Sequence, residues 1–459
     1  MSFSTEIFIF LYLPTLLISY MFLNQWKLRN IILLVMSFIF YAWGGVGYCG
    51  LMLVLITINY LFGLHVRDNR IVMYISVFFN IGILVLFKYS SFILMNIKRV
   101  FSGISWVDNL SIPSISQPIG ISFFCFAVLS YLFDIYYGKI QPEKKISNFS
   151  LYALFFSKVK SGPIVRYIDI KEELSDRTFS FDEVYSGLKR FSIGFIKKIL
   201  LSNQMALVAD TAFSIQGSLH PVYAWIGAIS YMLNIYLDFS SYSDMAIGLA
   251  QIFGFHFKEN FNYPYISSSI KEFWRRWHIS LSSWFRDYVY IPLGGNRKGK
   301  KRTYINLLVV FFLTGLWHGA SWNFIAWGMY NGIFLLIERK TNFCEKLPKV
   351  IAHIYTLIVV LIGWVLFKAE SLSNAINYLA NMLGICCGNI SNLEMIRVIN
   401  TQYVVLGFVS ILATTPLLKR IAERIKYKWL KDCIILILFF VSLCYMIASE
   451  YNPFIYFRF

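Results

Sequence analysis

Charge is what this chain has least of. Asp, Glu, Lys and Arg make up 14% of its 459 residues, against roughly 25% in soluble domains. No long polar stretch separates the apolar runs, which argues against a fused soluble module. Acid is scarcer than base: 24 Asp and Glu face 42 Lys and Arg, a formal net charge of +18. In a soluble protein that excess would suggest nucleic acid, but no recognition module accompanies it, so no nucleic-acid partner is expected. The chain also lacks a Gly-rich nucleotide loop, a Ser–His–Asp elbow and a zinc signature, so no metal is expected. The seven cysteines, Cys49, Cys125, Cys344, Cys386, Cys387, Cys433 and Cys444, show no ligand spacing, and most sit in or beside apolar runs as small packing residues. The adjacent pair Cys386-Cys387 is not expected to be a disulfide. Met1 to Glu6 has no basic region and no small-residue cleavage site follows, so the first apolar run reads as an uncleaved span rather than a signal peptide.

What is there is apolar and aromatic. The hydrophobic fraction is 58% and Phe, Trp and Tyr are 19%. Several runs approach the roughly 20 residues that cross a bilayer as a helix. The expected class is therefore an all-α polytopic membrane protein, one domain over 1–459 with its core at about 118–337. Candidate spans are 7–22, 31–43, 48–64, 71–94, 119–137, 191–213, 222–239, 245–255, 304–317, 322–337, 351–367, 403–418 and 433–447. The patch 151–156 reads as re-entrant or interfacial. A polar step, Asp238 to Asp244, divides 222–239 from 245–255. The 257–303 loop carries ten basic and three acidic residues and is expected to be cytoplasmic, as is the basic loop 419–432. The nearly balanced loop 368–402 and the C-terminal residues 451–459 then fall outside.

The candidate chemistry lies between Phe273 and Asn323. The stretch 269–288 reads as one interfacial helix, with Phe273, Trp274, Trp277, Leu281, Trp284 and Phe285 on its apolar face and Arg275, Arg276 and Arg286 off it. His278 borders that face, either as an interfacial ring among Trp anchors or as a site residue. The helical run from Tyr304 to Trp317 climbs roughly 20 Å, which carries His318 past the bilayer midplane. An ionisable group at that depth is costly, and a functional reading is the default. Gly315, Gly319 and Gly328 allow a close turn, and Ser321 and Asn323 supply polar partners. A neutral imidazole there is suited to take a proton from a hydroxyl or phenol. The basic run Gly294 to Arg302 reads either as a plain cytoplasmic loop or as a cradle for a cofactor's phosphates.

These residues resemble a family. Arg275-Arg276-Trp277-His278-Ile279-Ser280-Leu281-Ser282 and the following Trp284 to Asn296 are similar to the membrane-bound O-acyltransferase (MBOAT) family, in its bacterial alginate and peptidoglycan O-acetyltransferase branch. Leu316-Trp317-His318-Gly319-Ala320, with Trp322-Asn323-Phe324, resembles the block that carries the family's hallmark histidine. Further matching blocks are Pro118 to Phe124, Gly162 to Arg166, Leu237 to Ser240 and Tyr242-Ser243-Asp244. Cys125, Ala127, Tyr137 and Ser157 depart from the expected Thr, Gln, Arg and Pro, which bears on the substrate subgroup.

The resemblance implies roughly 11–13 transmembrane helices, with re-entrant and interfacial helices, around a central tunnel in a bacterial inner membrane. It implies acetyl-CoA as cytoplasmic donor and a periplasmic SGNH-type O-acetyltransferase as partner. The polysaccharide acceptor would be peptidoglycan first and alginate next. His318 is then the catalytic histidine and His278 a second site residue. Arg276, Arg297, Lys298 and Lys300, with Trp277 and Asn323, are the candidate donor-binding residues. Asn452 to Phe459 resembles the aromatic tail of a small companion protein in teichoic-acid D-alanylation, which implies Tyr456 as an acyl carrier; a plain interfacial anchor is the other reading of it. The rival class is a transporter of an intact lipid-linked sugar or acyl donor, against which the lack of matching halves counts. A scaffold that recruits the secreted enzyme is the third reading.

Overall fold

The computed structural model describes residues 1–112, 115–215, 217–385 and 392–449, and every regular element among them is helical. Cys386-Cys387 and the tail with Tyr456 lie outside the described residues. The chain forms two compact units. One comprises Met1–Ser180 with Phe253–Phe257, the other Phe181–Ile252 with Lys258–Phe459.

In the first unit, Asn69 starts the Arg70–Leu84 helix by accepting the amides of Ile71 and Val72, each at 3.1 Å. Such a side-chain cap satisfies two of the four amides that a helix start leaves open. The expected re-entrant patch is the nine-residue helix Ile146–Leu154, buried from Asn148 onward and too short to cross a bilayer. Arg177, 5% exposed, donates to the Phe253 carbonyl at 2.9 Å and to Asn30 Oδ1 at 2.7 Å, so this buried cation is fully engaged.

Among the described residues, five helices are long and apolar enough to cross a membrane: Val46–His65, Arg70–Val100, Phe181–Ser214, Lys349–Lys368 and Lys428–Ala448. The bent pair Thr401–Ala413 and Leu417–Arg424 makes a sixth if it is one span. Ile7–Met21 and Ile121–Tyr136 are apolar but shorter. Other long helices of the second unit are more polar because they pack against protein and keep buried polar side chains. Pro221–Ile252 is the main case. The Asp238–Asp244 step does not split it as expected. The helix runs unbroken because the step's side chains find partners on neighbouring elements: Lys198 donates to Asp238 at 2.6 Å, Lys197 to Asp244 at 2.7 Å, and Arg190 to Asp244 at 3.1 Å.

Close helix packing in the second unit goes through glycines. A Cβ on Gly187 would lie 2.6 Å from the Gly248 carbonyl oxygen, so Phe181–Ile196 and Pro221–Ile252 approach backbone to backbone. Gly299–His318 and Trp322–Thr341 form a hairpin held the same way. A Cβ on Gly315 would sit 2.5 Å from the Phe324 carbonyl oxygen, and one on Gly328 would run into the Phe311 carbonyl. Gly328→Ala is therefore expected to destabilise the protein by about 1–3 kcal/mol through overpacking, read as a lower Tm in detergent. An unchanged Tm would contradict this packing.

Candidate active site

The stretch 269–288 is not one helix. Ser269 caps Ile270–Arg276 by accepting the Glu272 amide at 3.0 Å, and the helix stops at Trp277. His278 then takes a left-handed backbone, φ 43° and ψ 56°, before Ile279–Phe285 begins. The break has a cause outside the stretch. The Asn260 carbonyl accepts the Ile279 amide at 2.9 Å, and Asn260 Oδ1 accepts the Ser280 amide at 3.1 Å. The Asn262 amide also donates to the Arg276 carbonyl at 2.9 Å. These bonds replace the helical ladder across the turn. The aromatic face is likewise not laid on lipid: Phe273, Trp277, Leu281, Trp284 and Phe285 are all buried in the protein.

The break turns His278 into a cavity of about 570 Å³ that His318 also lines. Both rings are buried, at 1% and 4% exposure, yet both face this space. His278 packs edge-on to Phe239, ring centres 4.6 Å apart, and its Nδ1 lies 3.2 Å from Asn260 Oδ1. Its turn lies outside the helices long and apolar enough to cross a membrane, and burial pushes its pKa down to about 3. The ring is therefore neutral throughout the physiological range.

His318 is the last residue of Gly299–His318. It sits edge-on to Trp327 at 5.0 Å and to Phe367 at 5.1 Å, and Trp317 lies 4.9 Å away. Trp274, Leu281 and Phe311 make the inner wall of the cavity apolar. Lys271, Arg275, Arg286 and Arg339 line it with exposed side chains, so its mouth is basic. The space suits a ligand with an anionic end and a long, mostly apolar arm reaching two histidines.

A second cavity of about 850 Å³ reaches the edge of the His318 box. Phe324 and Phe367 line it, and Phe367 is the ring that touches His318. Asn234, Asn323, Asn374, Asn377 and Asn381 make its wall rich in carboxamides, and the Lys368–Asp210 ion pair borders it. His318 thus lines one cavity and is one aromatic ring away from the next.

The candidate residues fall into three groups. His278, Trp277 and His318 share the first cavity. Arg276 turns to Glu272, 2.9 Å away, and to the Asn262 carbonyl at 3.1 Å, while Arg297 and Lys298 are exposed on the loop whose Asn296 reaches the cavity and Lys300 is exposed at the start of Gly299–His318. Asn323 belongs to the second cavity, its Nδ2 donating to the Ala369 carbonyl at 2.7 Å. The candidate list omitted Asn260 and Glu338. Glu338, 6% exposed on Trp322–Thr341, accepts the Ile270 amide at 2.8 Å and the Lys271 amide at 3.1 Å. It therefore caps the helix that precedes His278, Ile270–Arg276, from the hairpin that carries His318. No spacing rule reveals a partner 68 residues away.

Two histidines on one cavity with a basic mouth and an apolar wall suit group-transfer chemistry in a membrane protein. The membrane-bound O-acyltransferase family model matches residues 20–374, and the chain belongs to that family: it is a multi-pass membrane acyltransferase. It is 36% identical to the probable alginate O-acetylase AlgI of Pseudomonas putida over 488 residues, covering all of both chains. It is 30% identical to the peptidoglycan O-acetyltransferase of Helicobacter pylori over 520 residues, covering all of this chain and 97% of the other. Half of the chain matches 60% of the teichoic acid D-alanyltransferase of Bacillus subtilis at 32% identity.

Glu338→Ala leaves the Ile270 and Lys271 amides without their acceptor. It is expected to lower stability by about 1–3 kcal/mol and to remove most acyltransferase activity, whereas Glu338→Gln, which keeps one acceptor oxygen, retains part of both. Thermal unfolding and turnover of the purified variants check this; equal behaviour of Ala and Gln would contradict the capping role.

Proposed function

We propose that the chain takes acetyl from cytoplasmic acetyl-CoA and passes it across the inner membrane for O-acetylation of a cell-envelope or secreted polysaccharide. The single observation that carries this reading is His318, which lines a basic-mouthed cavity and touches the ring that walls a second one. In this reading the donor's phosphates meet Arg275, Arg286 and Arg339, with the loop cations Arg297, Lys298 and Lys300 outside them, and the pantetheine arm runs along Trp274 and Phe311 toward His318. The acceptor arrives from the second cavity. His318 takes the acceptor's hydroxyl proton, the oxygen attacks the thioester carbonyl, the C–S bond breaks, and the thiolate leaves with the proton from the imidazolium.

The first acceptor is the Tyr456 phenol, and a periplasmic SGNH-type transferase then moves acetyl from it to a sugar hydroxyl. Chain length supports this relay. Ser449, Tyr445 and Met446 border a small cavity against Asn203, Gln204 and Leu207, while Ala206 and Asp210 of the same helix line the second cavity. Seven extended residues from 450 to 456 reach roughly 23–25 Å, several times the ~5 Å of helix rise from Leu207 to Asp210. Peptidoglycan is the first polysaccharide in this reading and alginate the second. Acetyl content of wall and exopolysaccharide in a deletion strain separates them.

His318→Ala should reduce thioester cleavage by the purified protein about 10²–10⁴-fold, the usual contribution of a general base. A wild-type protein that moves substrate without cleaving acetyl-CoA would replace this account with the transporter reading. Changing Arg275, Arg286 and Arg339 to Gln together should raise KM for acetyl-CoA with little change in kcat, because the groups bind ground and transition state alike. With labelled acetyl-CoA, acetyl-tyrosine is expected on the C-terminal peptide. Full polysaccharide acetylation by Tyr456→Phe would remove the relay and leave the transferase.

A further inference from the structure

We infer that Asn260 is a positioning residue that fixes the tautomer of His278, so that His278 meets the acyl donor as a hydrogen-bond acceptor. The inference rests on the proposed function only in taking the ligand to be an acyl thioester, whose pantetheine arm carries amide N–H donors.

The assignment follows from which groups can donate. Asn260 is 0% exposed. The Ser280 backbone amide, 3.1 Å from the Asn260 side chain, can only donate, so the atom it meets is the carboxamide oxygen. The Ser280 hydroxyl donates to the same oxygen at 2.9 Å. The other end, Nδ2, donates to Ser243 Oγ at 3.2 Å, which holds the carboxamide in this orientation from Pro221–Ile252. Ser280 Oγ also lies 3.4 Å from His278 Nδ1, but its one proton goes to the nearer Asn260 oxygen, so Nδ1, 3.2 Å from that oxygen, carries the ring proton. Nε2 is left as a lone pair, buried and without a hydrogen-bond partner among the described residues, on a ring that lines the cavity. A left-handed backbone is unfavourable for a histidine by about 1–2 kcal/mol, and the Asn260 bonds to the two following amides maintain it. An acceptor in that position takes an N–H or O–H from whatever fills the cavity.

Among the described residues, no charged side chain bonds to this ring. The rings against it are Phe239 of Pro221–Ile252, Phe261 of the Asn260 loop and Trp317 of Gly299–His318. The charged groups of the cavity are Lys271, Arg275 and Arg286 on its own stretch and Glu338, Arg339 and Glu345 across it. His318, Tyr290 and Cys344 complete the titratable set. Burial alone lowers the pKa of His278.

The test uses deuterium exchange at the His278 Cε1, which tracks imidazolium and is read peptide by peptide in the full-length protein. The wild type should show no inflection above pH 5. Asn260→Asp places a carboxylate beside Nδ1, favours the imidazolium and raises the pKa. An inflection should appear near neutral pH, and kcat/KM for acetyl-CoA should fall further as pH drops through it. Asn260→Ala should lower kcat/KM by about tenfold, the worth of one hydrogen bond, mostly through KM. A wild-type inflection near pH 6.5, or an Asn260→Asp protein with wild-type exchange and pH–rate profiles, overturns the inference. Exchange needs no turnover, so it decides the role of Asn260 even if acetyl-CoA proves not to be the donor.

Discussion

A polar group removed from water must find its partner inside the protein, and that requirement organises the unit that carries both site histidines. Asn260, Glu338 and the Lys198–Asp238 pair are each buried and each bond to a different element. Between them they fix where the chain breaks, which helix end meets which, and which way each ring points. Glycine contacts set how near the helices come. The buried polar groups set their register.

The two cavities follow from that arrangement. The Gly299–His318 helix delivers its last residue to a box of Trp317, Trp327 and Phe367. The side of the box toward the first cavity is open and the side toward the second is walled by Phe367. In the proposed function the donor enters from the first cavity and the acceptor reaches His318 past Phe367.

Much of this was legible in the sequence. The helical membrane class follows from composition and run length, and His318 stood out because a ring at that depth in an apolar helix has little structural excuse. The break at His278 was not legible: the 3.6-residue aromatic period continues through it, and its cause, Asn260, lies 18 residues upstream with no periodic relation. The polar step in Pro221–Ile252 was misread as an interruption because its partners, Lys197, Lys198 and Arg190, come from another helix. Asn323, a donor-binding candidate by resemblance, lines the second cavity, beyond the turn at Gly319.

The most direct test is an experimental structure of the protein with a non-hydrolysable thioether analogue of acetyl-CoA. The account predicts the analogue's phosphates among Arg275, Arg286 and Arg339, its sulfur and acyl carbon beside His318, and an arm amide within hydrogen-bond distance of His278 Nε2. An analogue bound elsewhere, or a His318 ring closed off from it by packed side chains, would contradict the account.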